Sequence, residues 1–145
     1  LLTEPLRIGA ERAGRSLADI DIAPTVNANI TDDHAGARDA MRPFLALYIG
    51  GMGSKKKNFY NEVVQRYGFQ DAAAKIQDLY LDGKKQEAAA AVPDELLDSL
   101  SLCGDEGYVR ERIQAFKDSG VTNLNINPIG ADPVGLTAKV KEWAS

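Results

Sequence analysis

The sequence is short of the residues that build covalent or metal-held sites. It has one cysteine, Cys103, and one histidine, His34, in 145 residues. A single cysteine excludes an internal disulfide, and one cysteine and one histidine are too few for a zinc site. No apolar run approaches the roughly 18 residues that a membrane span needs, and no signal peptide is evident. We therefore predict a cytoplasmic protein with no metal centre and no membrane partner.

The chain also lacks a strong charge of either sign. Its formal net charge is −4, and 26% of its residues are charged. A mildly acidic chain without a basic face is a poor ligand for nucleic acid, so we expect no nucleic-acid partner. The length and the hydrophobic fraction of 44% suffice for one domain with a sizeable core.

The first residues carry an amphipathic pattern without any preceding polar segment. Leu2, Leu6 and Ala10 recur at helical spacing, which predicts a helix over 2–13 that Gly14 ends. A chain that opens in this way, without a methionine, is expected to be cut inside a larger protein. A processed protein or a trimmed start is the alternative.

Two segments alternate between apolar and polar residues with a period of two, and we predict strands over about 20–31 and 121–127. Each strand has a polar face that ends in asparagines. These are Asn27 and Asn29 in the first strand, and Asn125 and Asn127 in the second. Their side chains could bind a cofactor or substrate at the carboxyl ends of the strands; the alternative is that they satisfy loop backbone.

Helical patterns follow both strands, and residues 58–100 between them form a run of short helices without a strand. This order fits βα units of a (β/α)8 barrel, in which residues at the carboxyl ends of the strands line the active site. Two strands cannot close a barrel. The predicted fold class is therefore α/β, a helix-rich partial TIM barrel with two main parallel strands and a helical insertion at 58–100.

The segment ALYIGGMGSKKKNFYNE, residues 46–62, places three glycines beside three lysines. Backbone N–H groups of Gly50, Gly51, Gly53 and Ser54 could bind a phosphate, with charge added by Lys55, Lys56 and Lys57. Against this, the glycines follow a helix carboxyl end, where the helix dipole is negative, and the spacing matches no phosphate-loop motif. A flexible hinge near the mouth of the active site is the favoured interpretation.

The remaining candidates are single residues. His34 lies in the first turn of a predicted helix and is expected on the surface. Cys103 precedes a predicted helix, which could lower its pKa, but structural packing is favoured because no base partner is evident. The aromatic residues Phe59, Tyr60, Tyr67 and Tyr80 are expected in a core or an interface rather than in cofactor stacking.

Three segments together resemble a known family. IDIAPTVNANITDD, ALYIGGMGSKKKNFYNEVVQRYGF and GDEGYVRERIQAFKDSGVTNLNI are similar to the C-terminal part of luciferase-like monooxygenases. The similarity is greatest to the branch that uses the 8-hydroxy-5-deazaflavin coenzyme (coenzyme F-420). The resemblance implies a TIM barrel in which 20–31 is the seventh strand and 121–126 the eighth, with residues 1–145 as a single C-terminal fragment.

The resemblance also implies the chemistry. The parent protein would transfer hydride between reduced deazaflavin and a small organic substrate, with FMN as the alternative coenzyme. The candidate cofactor-binding residues are Asn27, Asn29, Gly51, Gly53, Ser54, Lys55, Asn125 and Asn127. No catalytic residue can be assigned, since the first six strands are absent and the fragment alone is expected to be inactive. A non-catalytic helical interaction module is the alternative from another class.

The expected absence of the first six strands also predicts how the chain associates. A fragment of a barrel exposes strand edges and an apolar surface that the complete barrel would cover. Such surfaces favour self-association. We therefore expect a homo-oligomer, or association with the missing N-terminal part.

Overall fold

A three-stranded parallel sheet lies at the centre of the computed structural model, which describes residues 3–145. Its strands are β1 (Thr25–Ile30), β2 (Ser101–Gly104) and β3 (Asn125–Pro128). Eight α-helices surround it: α1 (Thr3–Arg12), α2 (His34–Ala46), α3 (Phe59–Arg66), α4 (Gln70–Leu81), α5 (Lys85–Ala90), α6 (Asp94–Ser99), α7 (Glu106–Asp118) and α8 (Pro133–Ala144). The predicted helix-rich α/β class is confirmed. Leu1 and Leu2, the first positions of the N-terminal pattern, lie outside the described residues.

The predicted number and bounds of the strands were wrong. Strand β2 was missed because its four residues, SLCG, are all buried and so show no alternation. Strand β1 begins at Thr25 rather than near residue 20. The segment before Thr25 does not pair in a ladder with the segment before β3. Isolated hydrogen bonds join the two, such as the one that the Thr122 N–H donates to Ile22 O over 3.1 Å. Strand β3 covers 125–128 rather than 121–127.

The strands lie in the order β2-β1-β3, so the first strand is central. Asn29 is the register partner of Cys103, and Asn27 is the partner of Asn127. Residues that are register partners share a face of the sheet. The asparagines and Cys103 therefore point to one face, while Ala28 and its partner Leu102 point to the other.

Helices cover both faces of this sheet and form two apolar clusters. The helical core joins α2 to α6 and the Cys103 face of the sheet; it contains Ala37, Met41, Ala46, Ile49, Val64, Ala73, Ile76, Ala88, Val92, Leu96, Leu97 and Cys103. The sheet core lies under α7 and α8; it contains Val26, Ala28, Leu102, Val109, Ile113, Leu136 and Val140. The sheet is thus the layer that separates the two cores.

Helix α2 leaves the carboxyl end of β1 and crosses one face of the sheet. Asp33 caps it, with Oδ1 accepting the Gly36 N–H at 2.9 Å. Pro43 lies inside the helix, and one turn further on the chain widens into a π-turn over Leu47–Gly51. The Arg38 guanidinium donates two bonds to Asp98 of α6, at 2.8 and 2.7 Å. This paired geometry fixes α2 against α6.

The two outer strands differ in exposure. All four residues of β2 are buried, whereas β3 alternates between exposed and half-buried. In β3 the Asn125 N–H donates to Pro24 O, and the Ile129 N–H donates to Ala28 O. Backbone groups of alternate residues face opposite sides of a strand, so the N–H and carbonyl groups of the even-numbered residues point away from β1. Pro128 is one of these and has no N–H.

Among the described residues, no helix is long and apolar enough to cross a bilayer.

Candidate functional site

Three of the four candidate asparagines form a polar strip on one face of the sheet. Asn127 Nδ2 donates to Asn27 Oδ1 over 2.9 Å, and Asn125 Nδ2 lies 3.5 Å from Ala23 O. Asn27 is half-buried because its amide nitrogen rests 3.8 Å from Met41 Sδ of α2. Asn125 and Asn127 remain exposed. The strip therefore carries one amide–amide bond and two amides that face solvent.

The fourth asparagine, Asn29, lies under the turn that follows β3. Gly130 in that turn has φ +112°, and a Cβ built there would come within 2.7 Å of Asn29 Oδ1. A glycine is needed for both reasons, the backbone angle and the close contact. The structure thus brings Asn29 against the 130 turn at the carboxyl end of the sheet.

A second group of side chains meets at the carboxyl end of β2, and the sequence did not predict it. His34 Nε2 accepts the Asp105 N–H at 3.3 Å and lies 3.4 Å from Asp105 Oδ2. The imidazole is edge-on to the Tyr108 ring with centroids 6.0 Å apart. Gly104 fits between them, since a Cβ there would lie 3.0 Å from His34 and 2.6 Å from Tyr108. His34 is therefore half-buried rather than free on the surface.

The charge of this group is set by the α7 amino terminus. The Tyr108 N–H donates to Asp105 Oδ1 over 2.8 Å, and this backbone bond lowers the pKa of Asp105. Burial raises the pKa of Tyr108, whose hydroxyl donates to Asp98 O at 3.2 Å. The group holds one carboxylate against one imidazole. No sequence signal indicates this group, because it depends on β2, which places Gly104 there and shows no alternation.

Cys103 lies in β2 with its side chain toward α2. Its Sγ is 3.8 Å from Met41 Sδ and 3.8 Å from Asn27 O. Burial raises the pKa of the thiol, so the alternative of a thiol activated by a helix terminus is wrong. The favoured expectation, a packed structural cysteine, is confirmed by its 4% exposure.

The glycines of the 46–62 segment are in close contact with helix α4. A Cβ at Gly50 or at Gly51 would come within 2.4 Å of Tyr80. Tyr80 therefore packs on the π-turn, as expected of a core aromatic. Asn58 Nδ2 donates to Ile49 O over 2.9 Å and its Oδ1 accepts the Asn61 N–H at 3.1 Å. Packing and capping account for these residues without a ligand.

The lysines of the segment are exposed, and one of them is paired. Lys55 Nζ is 2.6 Å from Asp78 Oδ1 of α4. The two residues line an open surface cavity of about 320 Å³ with Leu79, Leu81 and Asp82. Lys56 and Lys57 make no ion pair with any residue of the described range. An anion at Lys55 would have to compete with Asp78.

The candidate residues thus fall into two groups. The asparagines lie on the sheet, whereas Gly51, Gly53, Ser54 and Lys55 follow helix α2. That helix begins at the carboxyl end of β1 and its 13 residues extend about 20 Å at 1.5 Å per residue. No hydrogen bond or ion pair within residues 3–145 joins the asparagines to the segment. A ligand that used both groups would have to be long.

The chain belongs to the luciferase-like monooxygenase family, whose family model matches residues 2–123. Its parallel sheet and helices are consistent with part of the TIM barrel that the resemblance implied. The match ends just before β3.

Two curated relatives are informative. A Mycobacterium tuberculosis protein, provisionally named a coenzyme F-420-dependent oxidoreductase, is 38% identical over 122 residues, covering 84% of this chain and 35% of the relative. The 5,10-methylenetetrahydromethanopterin reductase of Methanopyrus kandleri is 30% identical over 126 residues, covering 86% of this chain and 34% of the enzyme. The chain therefore spans about a third of the length of these relatives.

Proposed function

We propose that residues 1–145 form the C-terminal part of a luciferase-like oxidoreductase that transfers hydride between reduced coenzyme F-420 and a small organic substrate. The observation that carries this proposal is the 38% identity, over 84% of the chain, to a relative provisionally named for that coenzyme. The reductase relatives support the same general chemistry.

The side-chain amides of the asparagine strip suit the polar edge of a deazaflavin ring. Asn125 and Asn127 expose amides, and the hydrogen bonds that they make use their nitrogens, which leaves the carbonyl oxygens as acceptors. The pyrimidine edge of a deazaflavin carries N–H and C=O groups, which pair with such amides. Lys56 and Lys57 offer positive charge suited to a phosphate or an acidic tail.

In this proposal the chain binds and orients the coenzyme, and the catalytic groups belong to another part of the protein. Bound reduced coenzyme would supply the hydride. Asn125 and Asn127 would hold the ring by its polar edge. No residue of this chain is assigned a proton-transfer role, because the catalytic groups are expected in the N-terminal strands.

FMN is the second candidate coenzyme, since the family is named for monooxygenases. Its ring has the same pyrimidine edge, and its phosphate suits the same lysines. With coenzyme F-420 the longer protein would transfer hydride, whereas with FMN it would act as a monooxygenase.

A fluorescence titration of the full-length protein with both coenzymes tests the proposal. We expect tighter binding of coenzyme F-420 than of FMN, and at least a tenfold loss of affinity in N125A/N127A. Asn123→Ala is the matched control, because this neighbouring exposed asparagine lies outside the strip. Binding of neither coenzyme by the full-length protein would refute the proposal. Turnover by residues 1–145 alone would refute the assignment of catalysis to the other part.

A further inference from the structure

The strand order of the sheet differs from the order that a closed barrel requires. In a (β/α)8 barrel, strands that follow one another in the chain are neighbours, so each strand pairs with the one before it and the one after it. Here β1 is central, with β2 on one edge and β3 on the other. Both edges of β1 are therefore taken by strands that follow it in the chain, and neither is left for a strand that precedes it.

The pairing that a closed barrel would not contain is the one between β1 and β3. Consecutive order places β2 between these two strands, which would then lie about 10 Å apart instead of about 4.8 Å. In the structure they are register partners at four positions, from Thr25 with Asn125 to Ala28 with Pro128. The pairing of β1 with β2, in contrast, belongs to both arrangements.

The β1–β3 ladder also buries less than the β1–β2 ladder. All four residues of β2 are buried, whereas β3 alternates between exposed and half-buried residues. On the asparagine face, a single amide–amide bond from Asn127 Nδ2 to Asn27 Oδ1 joins β3 to β1. Because β3 removes less side-chain surface from water, breaking its ladder costs less free energy than breaking that of β2.

The helical layers give a second indication that the sheet rearranges. A barrel carries its helices on the outside and keeps the other face of every strand for the lumen. In this chain α7 and α8 cover one face of the sheet, while the helical core covers the opposite face with Cys103. Closure has to uncover one of these faces. The face that carries the asparagines suits the lumen, because residues at the carboxyl ends of the strands line the active site.

We propose that the pairing of β3 is exchangeable. In residues 1–145 alone, β3 occupies the edge of β1 that the longer protein gives to the strand preceding β1. Closure of the barrel seats that preceding strand on β1, and β3 then pairs with β2. The exchange separates Asn127 from Asn27 and breaks the amide–amide bond of the asparagine strip. The inference rests on the proposed place of the chain in a longer protein, and its test needs no coenzyme.

Disulfide cross-linking of residues 1–145 and of the full-length protein tests the proposal, with all other cysteines replaced by serine. Thr25→Cys/Asn125→Cys places thiols at register partners of β1 and β3, and both positions are exposed. The spacing of paired strands lies within the Cα separation that a disulfide spans. With the same oxidant, we expect at least tenfold less intramolecular cross-link in the full-length protein than in residues 1–145.

The matched control is Asn27→Cys/Ser101→Cys, which places thiols at register partners of β1 and β2. These strands are neighbours in both arrangements, so this pair should cross-link in both proteins. Equal cross-linking of Thr25→Cys/Asn125→Cys in the two proteins would overturn the proposal, as would its failure to cross-link in residues 1–145. Far-ultraviolet circular dichroism of each variant verifies folding.

A second measurement uses the unsubstituted proteins. Val26 and Ile126 are register partners that meet in the sheet core, so methyl-labelled protein should show a nuclear Overhauser effect between them. We expect this signal in residues 1–145 and its loss in the full-length protein, where a contact of Ile126 with Leu102 replaces it. A Val26–Ile126 signal that persists in the full-length protein would show that β3 stays on β1 and that the proposal is wrong.

Discussion

Gly130 is the residue at which backbone angle and side-chain contact can be separated by experiment. Its φ of +112° is costly for other residues, and a Cβ would also contact Asn29 at 2.7 Å. Gly120 has a similar φ of +91°, but a Cβ there would meet nothing within 4 Å. The pair differs mainly in the contact with the asparagine.

We expect Gly130→Ala to lower the free energy of unfolding by about 2–4 kcal/mol and Gly120→Ala by about 1–2 kcal/mol. Urea denaturation followed by circular dichroism measures both. The difference reports the contact with Asn29. Equal losses in the two variants would show that Asn29 simply moves away.

At the scale of elements, the most informative feature is the connection between the π-turn and α3. Asn58 both caps α3 and donates to two carbonyls of the preceding turn. Its removal takes the side-chain donor from Tyr48 O and leaves Ile49 O with only the Asn61 amide as a side-chain donor, which costs more than the loss of a surface cap.

We expect Asn58→Ala to destabilise the protein by about 2–3 kcal/mol. The exposed Asn123→Ala should change the free energy of unfolding by less than about 0.5 kcal/mol. Thermal unfolding of both variants provides the measurement. A loss below about 1 kcal/mol for Asn58→Ala would mean that water replaces the amide at both carbonyls.

These elements show what sequence patterns can and cannot predict. Local signals were sufficient for most helix starts, since Asn58, Asp105 and Asp132 cap as side-chain chemistry predicts. At α2 the sequence favours Thr31 or Asp32 as the cap, but Asp33 caps the helix. Strand β2 has no local signal, since burial of all four residues removes the alternation. Strand order was beyond reach because it depends on pairings over about 75–100 residues, such as Asn29 with Cys103 and Asn27 with Asn127.

The candidate site was predictable to the same extent. The asparagines of β1 and β3 share a face, as their alternation indicated. The meeting of His34 with Asp105 was not predictable, because it requires β2 to lie beside β1. The packing of Gly50 and Gly51 on Tyr80 was also hidden, since a glycine that permits close contact looks in sequence like one that binds an anion.

For the whole molecule, the question is whether the two cores unfold together. Leu97 is fully buried in the helical core, and Trp143 packs against the sheet core on the opposite face. The sheet is shared by both cores, so we expect one cooperative unit.

Leu97→Ala should cost about 2–5 kcal/mol, with the tryptophan fluorescence midpoint moving together with the circular dichroism midpoint. Ile113→Ala in the sheet core is the matched variant and should move both signals in the same way. A fluorescence midpoint that Leu97→Ala leaves unchanged would mean that each core melts independently.

The open edge of β3 has a consequence for how a further strand could join the sheet. Only Ile126 presents both an N–H and a carbonyl outward from this strand, because Pro128 offers a carbonyl alone. An added strand therefore has a single register in which it pairs with both the N–H and the carbonyl of Ile126. A shift by two residues places it at Pro128, which has no N–H to donate. The proline makes this edge selective: it discourages indiscriminate stacking of copies while leaving room for one strand of matching register.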